Sequence, residues 1–189
     1  MALVSANAGF VATEFALVAV DRTRVDERAG QGSGRARQTQ RLLSRLSYHL
    51  SGAQLGITIT SLLLGFLAEP AIASLLEPAL DGIFGETPPA VSIGLALLIA
   101  TFTQMVFGEL IPKSLATSKP LEASFVLARP AAVYGILARP VVALLDGLAA
   151  RITRRLGVEP KEELESIPGR DELKHLIRSS GEEGTLDAG

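Results

Sequence analysis

The chain has no cysteine, no tryptophan, two histidines and two tyrosines in 189 residues. Without cysteine there are no disulfides, no thiolate metal sites and no cysteine nucleophile. With so few imidazoles a zinc centre lacks ligands, and with so few Trp and Tyr the chain has little from which to build an interfacial aromatic belt. Any metal it binds must be held by oxygen. No Ser-His pair, paired aspartates or His-rich constellation occurs in the apolar segments, so the chain is not expected to be an enzyme.

Charge is also scarce where it matters. Residues are 48% hydrophobic and 20% charged, mean hydropathy is +0.34, and the apolar residues stand in blocks. Leu50 to Ala68 runs 19 residues and Thr87 to Gly108 runs 22 without a charge, each enough to cross a hydrocarbon core of about 30 Å at about 1.5 Å per residue. Ala2 to Val20 is a third apolar run, interrupted only by Glu14. A secretory signal is the competing reading of that run. No Lys or Arg precedes it, however, and it continues past the cleavage-like Ala6-Asn7-Ala8, so a span is preferred.

The loops orient these segments. Residues 21–49 carry seven arginines against Asp21, Asp26 and Glu27, whereas residues 69–89 carry Glu69, Glu77, Asp81 and Glu86 with no Lys or Arg. The positive-inside rule places the arginine-rich loop in the cytoplasm, and with it the C-terminus inside and the N-terminus outside. Gly30 to Gly34 divides that loop into two segments that each suit a short helix at the membrane surface, with arginines as topology signals and headgroup contacts. No nucleic-acid partner is implied. From Glu69-Pro70 the apolar residues Ile72, Leu75, Leu76, Leu80 and Ile83 recur at helical spacing. That stretch reads as one or two short outer helices or as an extension of the second span.

Between Ser114 and Gly157 the chain is apolar but interrupted by Arg129-Pro130 and Arg139-Pro140. A kinked helix following the inner membrane boundary accommodates both better than a fourth span. The segment from Val158 onward is polar, with one short amphipathic helix expected over 169–180; it reads as a cytoplasmic linker. The expected fold is therefore an all-α membrane protein. Its spans lie at about 2–20, 50–68 and 87–111, a belt-like helix at about 119–156, and the linker at 158–189.

Polar residues inside the spans carry the functional expectation. On helices, Asn7 and Glu14 share one face of the first span, Gln54, Thr58 and Ser61 line one face of the second, and Thr101, Gln104 and Gly108 line the third, with Glu109 adjacent. Singly, such residues glue membrane helices together. Three polar faces with two carboxylates point instead to an ion path. Hydroxyl, amide and carboxylate oxygens favour Mg2+, Ca2+ or Na+ over zinc or copper. A helix broken between Gly108 and Pro112 would add backbone carbonyls. Lys113 either reaches the inner interface or pairs with Glu109.

NAGFVATEFALVAV at the N-terminus, SGAQLGITITSLLLGFLAEP in the second span and FGELIPKSLA in the third resemble the transmembrane domain of the CNNM/CorC family. DELKHLIRSSGEEGTLD resembles the linker preceding that family's paired CBS domains, which are expected to follow it. The resemblance implies a homodimer of three-span protomers in the plasma membrane that exports Mg2+, with Na+ as the proposed coupling ion. It implies a metal site formed by Asn7, by Ser61 and Thr58, and by Gly108 and Glu109, with Pro112 stopping the helix beside it. Two departures are visible. Val11-Ala12 stands where many members have Ser-Gly, and Ser61 where others have Asn, which makes Ser5 a candidate substitute ligand. Glu14, Gln54, Pro112 and Lys113 are expected in structural or gating roles. An organic-cation (polyamine) exporter and a non-transporting dimeric anchor are the alternative readings.

Overall fold

The computed structural model describes residues 1–85 and 88–156; the helix expected over 169–180 lies outside them. The chain divides into two units, residues 1–146 and 147–189. Among the described residues there is no strand, in keeping with the long apolar runs. Four helices are long and apolar enough to cross a membrane: Ala2–Ala19, Leu46–Ile83, Pro89–Ser118 and Pro120–Arg155. The segment expected to be a belt therefore also meets the length and apolarity of a span.

Helix α1 (Ala2–Ala19) ends where Val20 turns extended. Helix α2 (Arg22–Gly30) begins at Asp21, whose carboxylate accepts from the backbone N–H of Thr23 and Arg24, satisfying two of the donors a helix start leaves free. Gly32 then adopts a positive φ of 93°, a conformation that favours glycine. Ser33 caps helix α3 (Gly34–Leu43) by accepting from the Ala36 N–H. The two short helices expected in the arginine-rich loop are thus present. Gln40 of α3 donates to Asp26 of α2. Their apolar sides bury Val25, Leu42 and Leu43 against Leu17 of α1, Val20 just past its end and Ala128 of the last helix.

Helix α4 (Leu46–Phe84) has 39 residues, on the order of 58 Å and well beyond a hydrocarbon core of about 30 Å. The stretch after Glu69 is its continuation: Pro70 and Pro78 lie inside one helix. Each proline removes a backbone donor, but Ile72, Leu75 and Leu76 follow the first and Leu80 the second at helical spacing.

The third apolar run departs most from expectation. Helix α5 (Pro89–Thr103) starts on Pro89, where a missing N–H costs nothing. It passes directly into a π-helical segment, Gln104–Leu110, and then helix α6 (Ile111–Ser118). The chain is not broken between Gly108 and Pro112. It widens by a turn and continues, because Pro112 falls in the first turn of α6. The break comes at Lys119, whose φ of −135° and ψ of 63° fit a residue excluded from the helical region by the following Pro120. Helix α7 (Pro120–Arg155) follows, with Pro130 and Pro140 inside it.

Large side chains such as Leu62, Phe66, Leu98 and Phe102 are exposed on α4 and α5. A soluble monomer rarely exposes apolar surface on this scale, whereas lipid covers it at no cost. The chain is a multi-pass membrane protein.

Candidate cation site between three helices

Helices α1 and α4 run antiparallel along a seam with two polar rungs. At one rung Asn7 of α1 meets Thr60 and Ser61 of α4; seven residues along each helix, Glu14 accepts from Gln54 Nε2 at 3.3 Å. The close approach is made at Gly56, where a Cβ would lie 2.7–2.8 Å from the Phe10 ring. A small residue there lets the two backbones near each other.

Asn7 is fully buried, with 0% of its surface exposed. Its Oδ1 accepts from Thr60 Oγ1 at 2.8 Å and from Ser61 Oγ at 3.2 Å, and its Nδ2 donates to the Gly108 carbonyl at 3.0 Å. In an α-helix the Gly108 carbonyl would receive the N–H of residue 112, and residue 112 is proline. The widened turn and the missing donor together turn that carbonyl to Asn7 across the helix interface. Gly108 is buried, and a Cβ there would stand 3.1 Å from Asn7 Nδ2 and 3.2 Å from Gln104 Oε1. Glycine is required by proximity rather than by its torsion angles.

Gln104 closes the group. Its Nε2 donates to Ser61 Oγ at 3.0 Å, while its Oε1 is buried without a hydrogen-bond partner. Leaving such an acceptor unpaired costs about 1–3 kcal/mol. Three helices thus gather Asn7, Thr60, Ser61, Gln104 and the Gly108 carbonyl, with one acceptor unused.

Of the residues singled out in the sequence, Asn7, Ser61 and Gly108 meet here. Thr58 does not join them: it is exposed and donates to Gln54 O of its own helix. Ser5 is exposed and lines a separate cavity bordered by Tyr48 and Tyr134. Thr101 is exposed. Glu109 is exposed and makes no hydrogen bond or ion pair among the described residues, including with Lys113, whose Nζ lies 4.5 Å over the Phe15 ring. Pro112 is buried. No group of three or more His, Asp or Glu side chains suited to a metal gathers among the described residues, so the donors of this site are neutral oxygens. Two members were not among the candidate ligands. The sequence pattern puts Gln104 only on a polar face and does not single out Thr60, although Thr60 stands four residues from Gly56 on the side α1 approaches.

A family model described as the cyclin M transmembrane N-terminal domain matches residues 1–189. UPF0053 protein MT1890 of Mycobacterium tuberculosis (strain CDC 1551 / Oshkosh) is 43% identical over 189 residues, 99% of this chain and 42% of that protein. UPF0053 protein YhdT of Bacillus subtilis (strain 168) is 35% identical over 187 residues, covering 98% of this chain and 41% of that protein. YhdP of the same strain is 33% identical, with coverage of 98% and 42%. The chain spans less than half the length of these three relatives. The match along the full 189 residues makes the chain a member of the CNNM/CorC family.

Proposed function

We propose that the chain is the membrane part of a secondary transporter that exports Mg2+ across the plasma membrane, coupled to Na+ entry. Its cation passes through the oxygens of Asn7, Ser61, Gln104 and Gly108. The observation that carries this reading is Gln104 Oε1, a buried amide oxygen with no donor beside a carbonyl that Pro112 has deprived of its helical partner. A hard cation is the ligand that suits such oxygens. In its absence Asn7 Nδ2–H occupies the Gly108 carbonyl, placing a partial positive charge where the ion's full charge would go. An arriving cation displaces that amide, and rotation about the terminal Asn7 torsion turns Oδ1 toward the ion. Thr60 keeps acceptors at Gly56 O and Ile57 O, so releasing Asn7 does not strand it.

Neutral oxygens alone offset little of a divalent ion's dehydration. Glu109, one residue past Gly108, supplies the charge. Rewinding the π turn into α-helix rotates the chain beyond it by about 100°, one residue's worth. That movement brings Glu109 around relative to Gln104. The Glu14–Gln54 rung holds α1 to α4 while this happens and serves as a gate. In the membrane, three helices cross with the N-terminus outside and the α2–α3 hairpin in the cytoplasm. Helix α7 follows the inner boundary, where Arg129 and Arg139 reach headgroups; two protomers form a homodimer, and CBS domains follow in the longer protein.

The test is Mg2+ flux from liposomes holding the full-length protein, with and without a Na+ gradient. Gln104→Leu is expected to lower the initial rate at least about 10-fold, the loss of roughly 1.4 kcal/mol of ion stabilisation, with Thr58→Ala unchanged. A wild-type rate in Gln104→Leu would reject the site. No Na+-dependent flux from folded wild type would reject the coupled transporter in favour of the anchor reading.

A further inference from the structure

We propose that the α1–α4–α7 junction holds one anionic phospholipid, its headgroup among arginines and one acyl chain in an apolar slot; the reading rests on the chain's being a membrane protein, not on the cation site. Two cavities meet there. One, of about 300 Å³, lies between α1, α4 and α7 and is walled mainly by apolar groups, among them Gly9, Phe10, Gly52 and Leu127. The other, of about 730 Å³, opens beside it and is bordered by Arg41, Arg45 and Arg139, with Asp146 at its edge. Tyr48, His49 and Gly135 border both, so the slot and the basic mouth share a wall.

Each half is unexplained alone. Arg41, Arg45 and Arg139 make no ion pair among the described residues, and Asp146 neutralises none of them at contact distance. Tyr48 is fixed by donating to the Gly135 carbonyl, which holds α7 against α4 and keeps the shared wall in place. The slot runs from Thr13 back to Ser5 along α1, on the order of 12 Å of helix, and its volume lies at the lower end of that of ordinary ligand cavities. A basic mouth at the start of α4 and midway along α7, continuous with a narrow apolar slot between α1, α4 and α7, matches a phosphate headgroup carrying an acyl chain. Basic pockets of this kind between membrane helices suit anionic lipid. A free phosphate would use the mouth and leave the slot unfilled.

The test is native mass spectrometry of the full-length protein titrated with phosphatidylglycerol, phosphatidylcholine or glycerol 1-phosphate at equal concentration. Phosphatidylglycerol is expected to bind in preference to phosphatidylcholine. Arg45→Gln with Arg139→Gln should lower its occupancy roughly 10-fold or more, and Arg45→Lys with Arg139→Lys should retain it. Gly52→Leu, which extends from a position in ordinary contact with Tyr134 and Val142, should block the slot and lower binding with every arginine present. Equal binding of the two lipids, an undiminished preference in the double glutamine variant, wild-type lipid binding in Gly52→Leu, or equally tight binding of glycerol 1-phosphate would each overturn the proposal.

Discussion

Removing the Asn7 side chain should destabilise the helix assembly far more than removing any other single polar group of the seam. Asn7→Ala deletes three interhelical hydrogen bonds, and at the ~0.6 kcal/mol average measured between membrane helices these sum to about 2 kcal/mol. The Gly108 carbonyl loses its side-chain donor, and a buried acceptor left short of a partner adds about 1–3 kcal/mol. Thr60 adds little, because its hydroxyl falls back on Gly56 O and Ile57 O. The expected loss is therefore ~3–5 kcal/mol by these two terms. Reversible unfolding in mixed micelles measures it, with Thr58→Ala as the comparison. Thr58 is exposed and bonds only within its own helix, so its loss should stay within about 0.5 kcal/mol. A loss below ~1 kcal/mol for Asn7→Ala would mean that these bonds do not hold the three helices together.

Three further substitutions probe the same geometry. Pro112→Ala supplies a donor for the Gly108 carbonyl and should convert the π turn toward α-helix, read as a new amide at residue 112 that is protected from hydrogen exchange, with Mg2+ flux reduced; a freely exchanging amide at 112, or unchanged flux, would separate the proline from the turn and from transport. Gly108→Ala places a methyl 3.1–3.2 Å from Asn7 Nδ2 and Gln104, and should lower stability by about 1–3 kcal/mol through overpacking in the same unfolding assay. Gly56→Ala meets the Phe10 ring at 2.7–2.8 Å and should force α1 off α4, with partial rescue by Phe10→Ala; strictly additive losses in the double variant would refute that contact.

Much of the arrangement was legible in the residues, and the misses have physical causes. Uncharged runs located α1, α4 and α5 because lipid tolerates few charges, and the family resemblance, not spacing, implied that Asn7, Ser61 and Gly108 share a site. Helical periodicity alone misassigned the neighbours. A stripe drawn from Gln54 through Thr58 selects one edge of α4, whereas the face that α1 contacts is set by Gly56, and so includes Thr60. Pro112 reads as a stop because proline lacks a donor. Its consequence here falls four residues earlier, at Gly108, and a widened turn absorbs it. The continuation of α4 through Pro70 and Pro78 is ambiguous in the sequence for the same reason: a proline weakens one turn, while apolar residues at helical spacing beyond it hold the helix. Glu109 is a carboxylate at the end of an apolar run, and it is exposed because the π turn directs Gly108 inward at the adjacent position.

The proposed cation site stands on Gln104 Oε1 and the Gly108 carbonyl acting as ligands. A high-resolution structure of the full-length protein in Mg2+ tests it most directly. A cation is expected at about 2.1 Å from both oxygens, with Asn7 Nδ2 withdrawn from Gly108. A Mg2+-loaded protein in which Asn7 still donates to Gly108 and the ion lies elsewhere would contradict it.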